Sequence, residues 1–314
     1  MPADWHDPAT IMWGFHVHQD LTAATADLLP TALALQHDAL TWLNANGSKV
    51  DVLAAFRPGY GPHKSFAWEL RVERLAPVQA VFPAYGKALL WLLLNHGPHE
   101  SGYVHPTMHD EQLPGLEQLS QEASHHKFHT VVLGSKPIDL NLDFFLNPAL
   151  TPEGQILNTR DVNEIPREQI DSTAALGQRL CAALLEPSEH VKSITMVITD
   201  AVHGVLAAAA VEYVTGVVSA AKSSALVSVE SGPDGASTVV TLTAGRGGCT
   251  FDDLAAAFGH LSAWLLVNRA PSPPERPAFT EPAKANISGR VRLQDTDVEA
   301  ALGEGSLDFK FGAL

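Results

Sequence analysis

Residues 91–98 read Trp-Leu-Leu-Leu-Asn-His-Gly-Pro, and residues 264–271 read Trp-Leu-Leu-Val-Asn-Arg-Ala-Pro. Each stretch closes an apolar helical segment and opens a loop. Working outward, further matches appear in the same order. Upstream, Gly59-Tyr-Gly-Pro-His63 precedes the alternating run Phe66 to Val72, and Gly232-Pro-Asp-Gly-Ala236 precedes Thr238 to Thr243. Downstream, Val132-Leu-Gly134 and Leu142-Asp-Phe144 answer Ala301-Leu-Gly303 and Leu307-Asp-Phe309. No single match is specific. Their shared order predicts a tandem duplication, because recurrence at a fixed spacing marks a repeated structural unit. The expected copies span residues 10–146 and 192–312. Residues 147–191 are the linker, with a helix over Pro166–Leu185 bounded by proline at its start and by Pro187 beyond its end.

Within copy one the patterning predicts strand, helix, strand, strand, helix, strand. The strands are Ile11–His18, Val50–Phe56, Ser65–Val72 and Ser101–His105. The helices are Leu21–Leu43, with Asp20 as its N-cap, and Val78–Leu94. Pro30 and Pro83 fall inside these helices and predict a later start or a kink. Copy two fits the same order through Ile194–Thr199, Ala201–Val218, Ala225–Glu230, Thr238–Thr243 and Phe251–Val267. The fold class is therefore α+β: tandem ferredoxin-like (β-α-β-β-α-β) repeats. One packing open to such copies is an intrachain dimeric α+β barrel, with the helix-free sheet faces turned toward each other.

Composition narrows the function. The chain has 314 residues, 46% of them hydrophobic and 18% charged, the balance of a globular protein with proper cores. A net charge of −15 argues against nucleic acid, which needs a basic footprint. No apolar run reaches the roughly 20 residues needed to span a bilayer, and residues 1–10 lack a signal pattern. The expectation is a cytoplasmic protein with no membrane partner; association into oligomers stays open. With two cysteines, neither in a paired motif, a thiolate-rich zinc site is excluded. Any metal must be held by nitrogen and oxygen.

Histidine is distributed unevenly. Eleven of the fifteen lie between residues 16 and 129. Imidazole is the commonest transition-metal ligand and the usual proton carrier near neutral pH. Strand residues alternate faces, so Trp13, Phe15 and Val17 share one face of the first strand while His16 and His18 share the other. In the third strand Phe66, Trp68, Leu70 and Val72 oppose Glu69 and Arg71, and His63 joins Glu69 if the strand is regular back to it. In the fourth, Tyr103 and His105 lie together. Three strands thus converge His16, His18, His63, Glu69, Arg71, Tyr103 and His105 on the helix-free face. In copy two, His16 and His18 align with Met196 and Ile198, His63 with Ala236, Glu69 with Leu242, and His105 falls near Ala278. Copy two is expected to be a non-catalytic partner.

Several of these elements together resemble the DOPA 4,5-dioxygenase family, small ferredoxin-like extradiol dioxygenases. They are His16-Val-His18, Gly61-Pro62-His63, Glu69, Trp91-Leu-x-Leu-Asn95-x-Gly97, Val104-His105-Pro106-x-x-x-Asp110 and Leu133-Gly134 with Leu140-x-Leu142. The resemblance covers residues 11–146. It implies ring opening of a catechol, such as an L-DOPA-like compound, by O2 at a non-haem Fe(II). Zinc or another divalent ion is an alternative occupant. This sequence departs from the family at His96, where arginine is usual, and at Met108-His109-Asp110, where Thr-Gly-Asp is usual.

Such chemistry needs a divalent ion with open positions for catecholate and oxygen, which a facial set of three protein ligands leaves free. The candidate ligands are His16, His18, His63 and His105, three to bind and the fourth to act as acid–base. Glu69 is either a ligand or the acceptor that fixes a ligand tautomer. Arg71 either forks onto a substrate carboxylate or is a surface arginine. Tyr103 either bonds substrate or packs. His96 is a candidate catalytic residue at a helix end, where the helix dipole alone also favours histidine. His126 and His129 would line the pocket through the family-like tail. The rival readings are a metal-dependent enzyme of this fold with another reaction on a small aromatic, and a non-catalytic binding protein.

Overall fold

The computed structural model describes residues 6–21, 29–45, 51–56, 66–73, 80–96, 100–108, 130–134, 185–200, 204–244, 250–269 and 285–312. The protein is α+β. In the first half, helix α1 (Pro8–Ile11) runs directly into β1 (Met12–Leu21). There follow α2 (Leu29–Ala45), β2 (Asp51–Phe56), β3 (Phe66–Glu73), α3 (Val81–Asn95), β4 (Glu100–Met108) and β5 (Thr130–Leu133). The second half contains α4 (Pro187–His190), β6 (Val191–Asp200), α5 (Val205–Ala220), β7 (Ala225–Ser231), β8 (Thr238–Ala244) and α6 (Phe251–Arg269). It closes with β9 (Ala285–Leu293), α7 (Thr296–Leu302) and β10 (Asp308–Gly312). The order β1-α2-β2-β3-α3-β4 therefore recurs as β6-α5-β7-β8-α6-β9.

Strand β1 is longer than expected and runs through Asp20, so Asp20 is a ladder residue rather than a helix N-cap. Helix α2 starts later, at Leu29, which leaves Pro30 in its first turn, where a missing N–H costs nothing. Pro83 likewise falls in the first turn of α3. The expected helix over Pro166–Leu185 lies outside the described residues except at Leu185.

The ten strands of the described residues join one antiparallel sheet in the order β2-β3-β1-β4-β5-β10-β9-β6-β8-β7. The face-to-face packing of two sheets gives way to an edge-to-edge junction. Short strands β5 and β10 pair with each other and weld the halves. Val132 opposes Tyr103 on β4, Lys310 opposes Ser288 on β9, and Val132 and Lys310 oppose each other. The junction is thus reciprocal, as an isologous interface is.

The helices repeat that reciprocity. A Cβ on Gly86 of α3 would run into the Ala255 carbonyl of α6, and one on Gly259 of α6 would run into the Phe82 carbonyl of α3. Only glycine lets these backbones approach so closely. Helix α3 is buried from Val81 to Asn95 at every residue but half-buried Pro83, because the sheet lies on one side and α6 on another.

The opening motif has a physical reason in the same interface. Asn95 donates to the Trp91 carbonyl one turn back (2.9 Å) and to the Leu185 carbonyl (3.0 Å), and accepts from the Leu185 amide (2.9 Å). Asn268 does the same with Trp264 (2.9 Å) and with the His6 carbonyl (2.9 Å) and amide (2.8 Å). Each half's asparagine holds the segment leading into the other half's first strand.

Candidate metal centre

The alternation expected for β1 is present. Phe15 and Val17 face the helices, with the Phe15 ring edge-on to Tyr85 at 5.4 Å. On the opposite face the ladders set His16 across from Arg71 on β3 and His105 on β4, and His18 across from Glu69 and Tyr103. Central position in the sheet gives β1 a polar neighbour on each side at both positions. His16, His18, Glu69, Tyr103 and His105 are all buried.

Three imidazoles meet here. His16, His18 and His105 each offer a nitrogen, and the three lie within 4.8 Å of one another, the spacing of a group able to hold a metal ion. His18 Nε2 and His105 Nε2 are 3.0 Å apart. Two nitrogens bound side by side to one ion at about 2.1 Å sit about 3 Å from each other, so the pair fits a shared cation.

Glu69 Oε1 lies 3.0 Å from His16 Nδ1, an ion-pair contact between the carboxylate and the ring. His105 Nδ1 donates to the Pro106 carbonyl at 3.3 Å, leaving its Nε2 as an acceptor. A histidine whose second nitrogen is tied to a carboxylate or carbonyl is the usual form of a metal-ligating imidazole. Glu69 Oε1 also accepts from Arg71 Nε at 2.8 Å and stands 3.9 Å from His18 Nε2. Burial opposes ionisation of this carboxyl. The charge of His18, the hydrogen bond and charge of His16, and Arg71 outweigh it and hold the group well below the usual carboxylate range.

The Tyr103 ring stacks on His18 at 4.4 Å with an interplanar angle of 2°. Arg71 keeps 38% of its side chain exposed while holding Glu69. His96 is not brought into the imidazole group. It caps α3, and its Nδ1 donates to the Leu92 and Leu93 carbonyls, both at 3.1 Å. Its own carbonyl accepts from Gln19, a residue on the helix-facing side of β1 that also receives the Trp68 indole N–H. Burial pushes the His96 ring below its ordinary pKa, against the pull of those two carbonyls. A side chain on Gly134 would crowd His96 Nε2. His63, His126 and His129 lie outside the described residues. The Pro106 carbonyl escaped sequence reading, since a backbone acceptor leaves no residue-type signal.

The second half presents different groups at the matching positions, and the match differs from the one expected. The pairings set His16 equivalent to Thr195 and His18 to Val197, because Thr195 faces Thr241 and Arg290 as His16 faces Arg71 and His105. Met196 and Ile198 are buried beneath the helices instead. The expected alignment was one residue out of register in β6, and a one-residue slip exchanges the two faces of a strand. Glu69 corresponds to Val239 rather than Leu242, and His105 to Arg290 rather than a residue near Ala278. Likewise β5 corresponds to β10, whereas Gly303, expected to match Gly134, caps α7.

No family model matches the chain, and no curated protein matches it. Among solved structures, one from Nostoc punctiforme described as a "putative dioxygenase" is similar at 21% identity. It covers 42% of this chain and 90% of that one, with a TM-score of 0.26. Among the described residues no helix is long and apolar enough to cross a membrane.

Proposed function

We propose that this protein is a metal-dependent dioxygenase that opens the ring of a catechol, an L-DOPA-like compound being the model substrate, with Fe(II) as the resident ion. The observation that carries this reading is the buried meeting of His16, His18 and His105, with His105 Nδ1 tied to the Pro106 carbonyl and His16 Nδ1 3.0 Å from the Glu69 carboxylate. Structural histidines do not need that arrangement; ligands do. The motif resemblance over residues 11–146 supplies the reaction class.

In this reading His16, His18 and His105 hold the ion, with His63 the further candidate. A ferrous ion there would supply the redox chemistry that lets O2 react with a catechol. Three neutral donors leave the ion's charge for the substrate dianion. Glu69 would keep His16 in the Nδ1-protonated form, and is itself kept ionised by His18, His16 and, to a lesser degree, Arg71. A neutral imidazole that does not bind the ion would take the second catechol proton and return it to the leaving oxygen. Tyr103 holds the plane of His18 by stacking. Arg71, partly exposed, would meet a substrate carboxylate. His126 and His129 stay candidates for the pocket wall.

The duplication is part of the proposal. Residues 10–146 and 192–312 are two copies of one unit joined by residues 147–191, and the second copy is a non-catalytic partner. The reciprocal glycine, asparagine and β5–β10 contacts support it, as does the replacement of the histidines by Thr195, Val197 and Arg290.

Anaerobic loading with Fe(II), followed by L-DOPA and oxygen, tests the reaction. A yellow ring-opened semialdehyde with stoichiometric oxygen uptake is expected. Metal binding without oxygen uptake for any catechol would remove the dioxygenase reading and leave another metal-dependent reaction or a binding role.

A further inference from the structure

Asn268 closes α6 in the half without the histidine group, yet its side chain holds the chain just ahead of β1. We propose that Asn268 is a positioning residue for the imidazole group: the second half sets the placement of His16 and His18 by clamping the start of their strand. The proposal rests on the metal reading for its consequence, and on the clamp geometry for its cause.

The path from clamp to ligands has little slack. Asn268 is 3% exposed and grips both the amide and the carbonyl of His6. Asp7 then caps α1, accepting from the Ala9 amide at 2.9 Å, and Thr10 Oγ1 donates to the Asp7 carbonyl at 2.8 Å. Helix α1 ends at Ile11 and β1 begins at Met12, with both residues buried. The β1–β4 ladder shifts register once, between Met12 and Gly14, and from there His16 stands opposite His105. A bulge of this kind inserts one residue on one strand and fixes which face each later side chain takes. A one-residue slip would carry His16 and His18 to the helix side. What holds the chain before the bulge therefore guards the meeting of the three rings.

The fold supplies its own control. Asn95 clamps Leu185, two residues before α4, as Asn268 clamps His6, two residues before α1. The β6–β9 ladder shifts register at the corresponding place, between Val191 and Ser193. The strand that follows carries Thr195 and Val197 instead of ligands. Loss of either clamp removes the same hydrogen bonds, and only one of them precedes the metal site.

The test compares full-length wild type, Asn268→Ala and Asn95→Ala by Co(II) titration and by NMR of the histidine rings. Both variants are expected to lower the melting temperature by similar amounts. Asn268→Ala should weaken Co(II) binding about 10-fold or more, the usual cost of losing an outer support of a metal site, and shift the His16 and His18 ring resonances. Asn95→Ala should leave both close to wild type. Equal effects of the two variants on Co(II) binding and on the ring resonances, or none from either, would overturn the proposal. If wild type itself binds no Co(II), the metal reading fails. The ring resonances alone then decide the clamp: a shift confined to Asn268→Ala supports it, and equal or absent shifts end it. Should the alanine variants not fold, Asn268→Asp and Asn95→Asp, which keep an acceptor for the clamped amide, replace them in the same comparison.

Discussion

His18 Nε2 and His105 Nε2 lie 3.0 Å apart on adjacent strands, both out of solvent. At that separation two imidazole nitrogens share either a proton or a cation. Since His105 gives its Nδ1 proton to the Pro106 carbonyl, its Nε2 is a lone-pair donor in either case. Replacing His105 with alanine should abolish tight divalent-metal binding while the far-UV circular dichroism stays that of wild type. Co(II) titration of the two proteins checks this, and unchanged affinity would remove His105 from the site.

In the proposed site Glu69 acts through His16. Glu69→Gln keeps the shape but loses the charge that His16 Nδ1 and Arg71 Nε share. Metal affinity should fall by roughly 10–100-fold, the range for outer partners of metal-bound histidine. Arg71→Ala should cost less for metal, because that guanidinium is partly exposed and its attraction is screened. The order of the two effects in a metal titration is the check: a larger loss from Arg71→Ala would mean that charge on the rim, not the His16 tautomer, governs binding.

Gly86 and Gly259 predict matched losses of stability. Either alanine variant forces a methyl group into the opposite helix's backbone. Overpacking at a site that cannot give should cost about 3 kcal/mol. Urea unfolding followed by fluorescence and circular dichroism should show one transition in each case, since the two halves share a sheet and a helix pair. A neutral Gly86→Ala, or two separated transitions, would contradict the close crossing.

A pH dependence follows from His260 on α6. Its ring lies against Phe82 at 4.3 Å, with Nδ1 3.2 Å from the Tyr213 hydroxyl. Burial pushes it down to about 4, while Asp7 pulls the other way. The unfolded chain takes up this proton near pH 6.5. Between about pH 4 and 6.5 the unfolded state therefore binds more protons, and stability falls as pH is lowered through that window. The loss is on the order of 3 kcal/mol at its lower end. His260→Phe should flatten the profile there; a variant as acid-sensitive as wild type would assign the effect elsewhere.

Much of this site could be read from residue order because strand alternation is strict. His16 and His18 on one face, with Glu69, Arg71, Tyr103 and His105 beside them, follows from period two alone. The paired Trp-x-x-x-Asn motifs marked the two halves, although their clamping role depends on which distant backbone they meet. The β5–β10 weld was beyond sequence reading: strands of four and five residues carry too short a pattern to show a period. The β6 register failed for a related reason. Thr195 and Val197 carry no residue-type signal that separates their face from that of Met196 and Ile198, and nothing in the residue types revealed the bulge at Lys192. His96 was grouped with the site by its motif, whereas helix α3 carries it to the other side of the sheet.

In the proposed site the imidazoles of β1 and β4 bind one divalent ion. Metal content after anaerobic loading with Fe(II) and removal of loose ions tests it most directly. The wild-type chain should retain about one ion and the His16→Ala/His105→Ala double variant none. A wild-type protein that retains no divalent ion with His16, His18 and His105 intact would contradict the account.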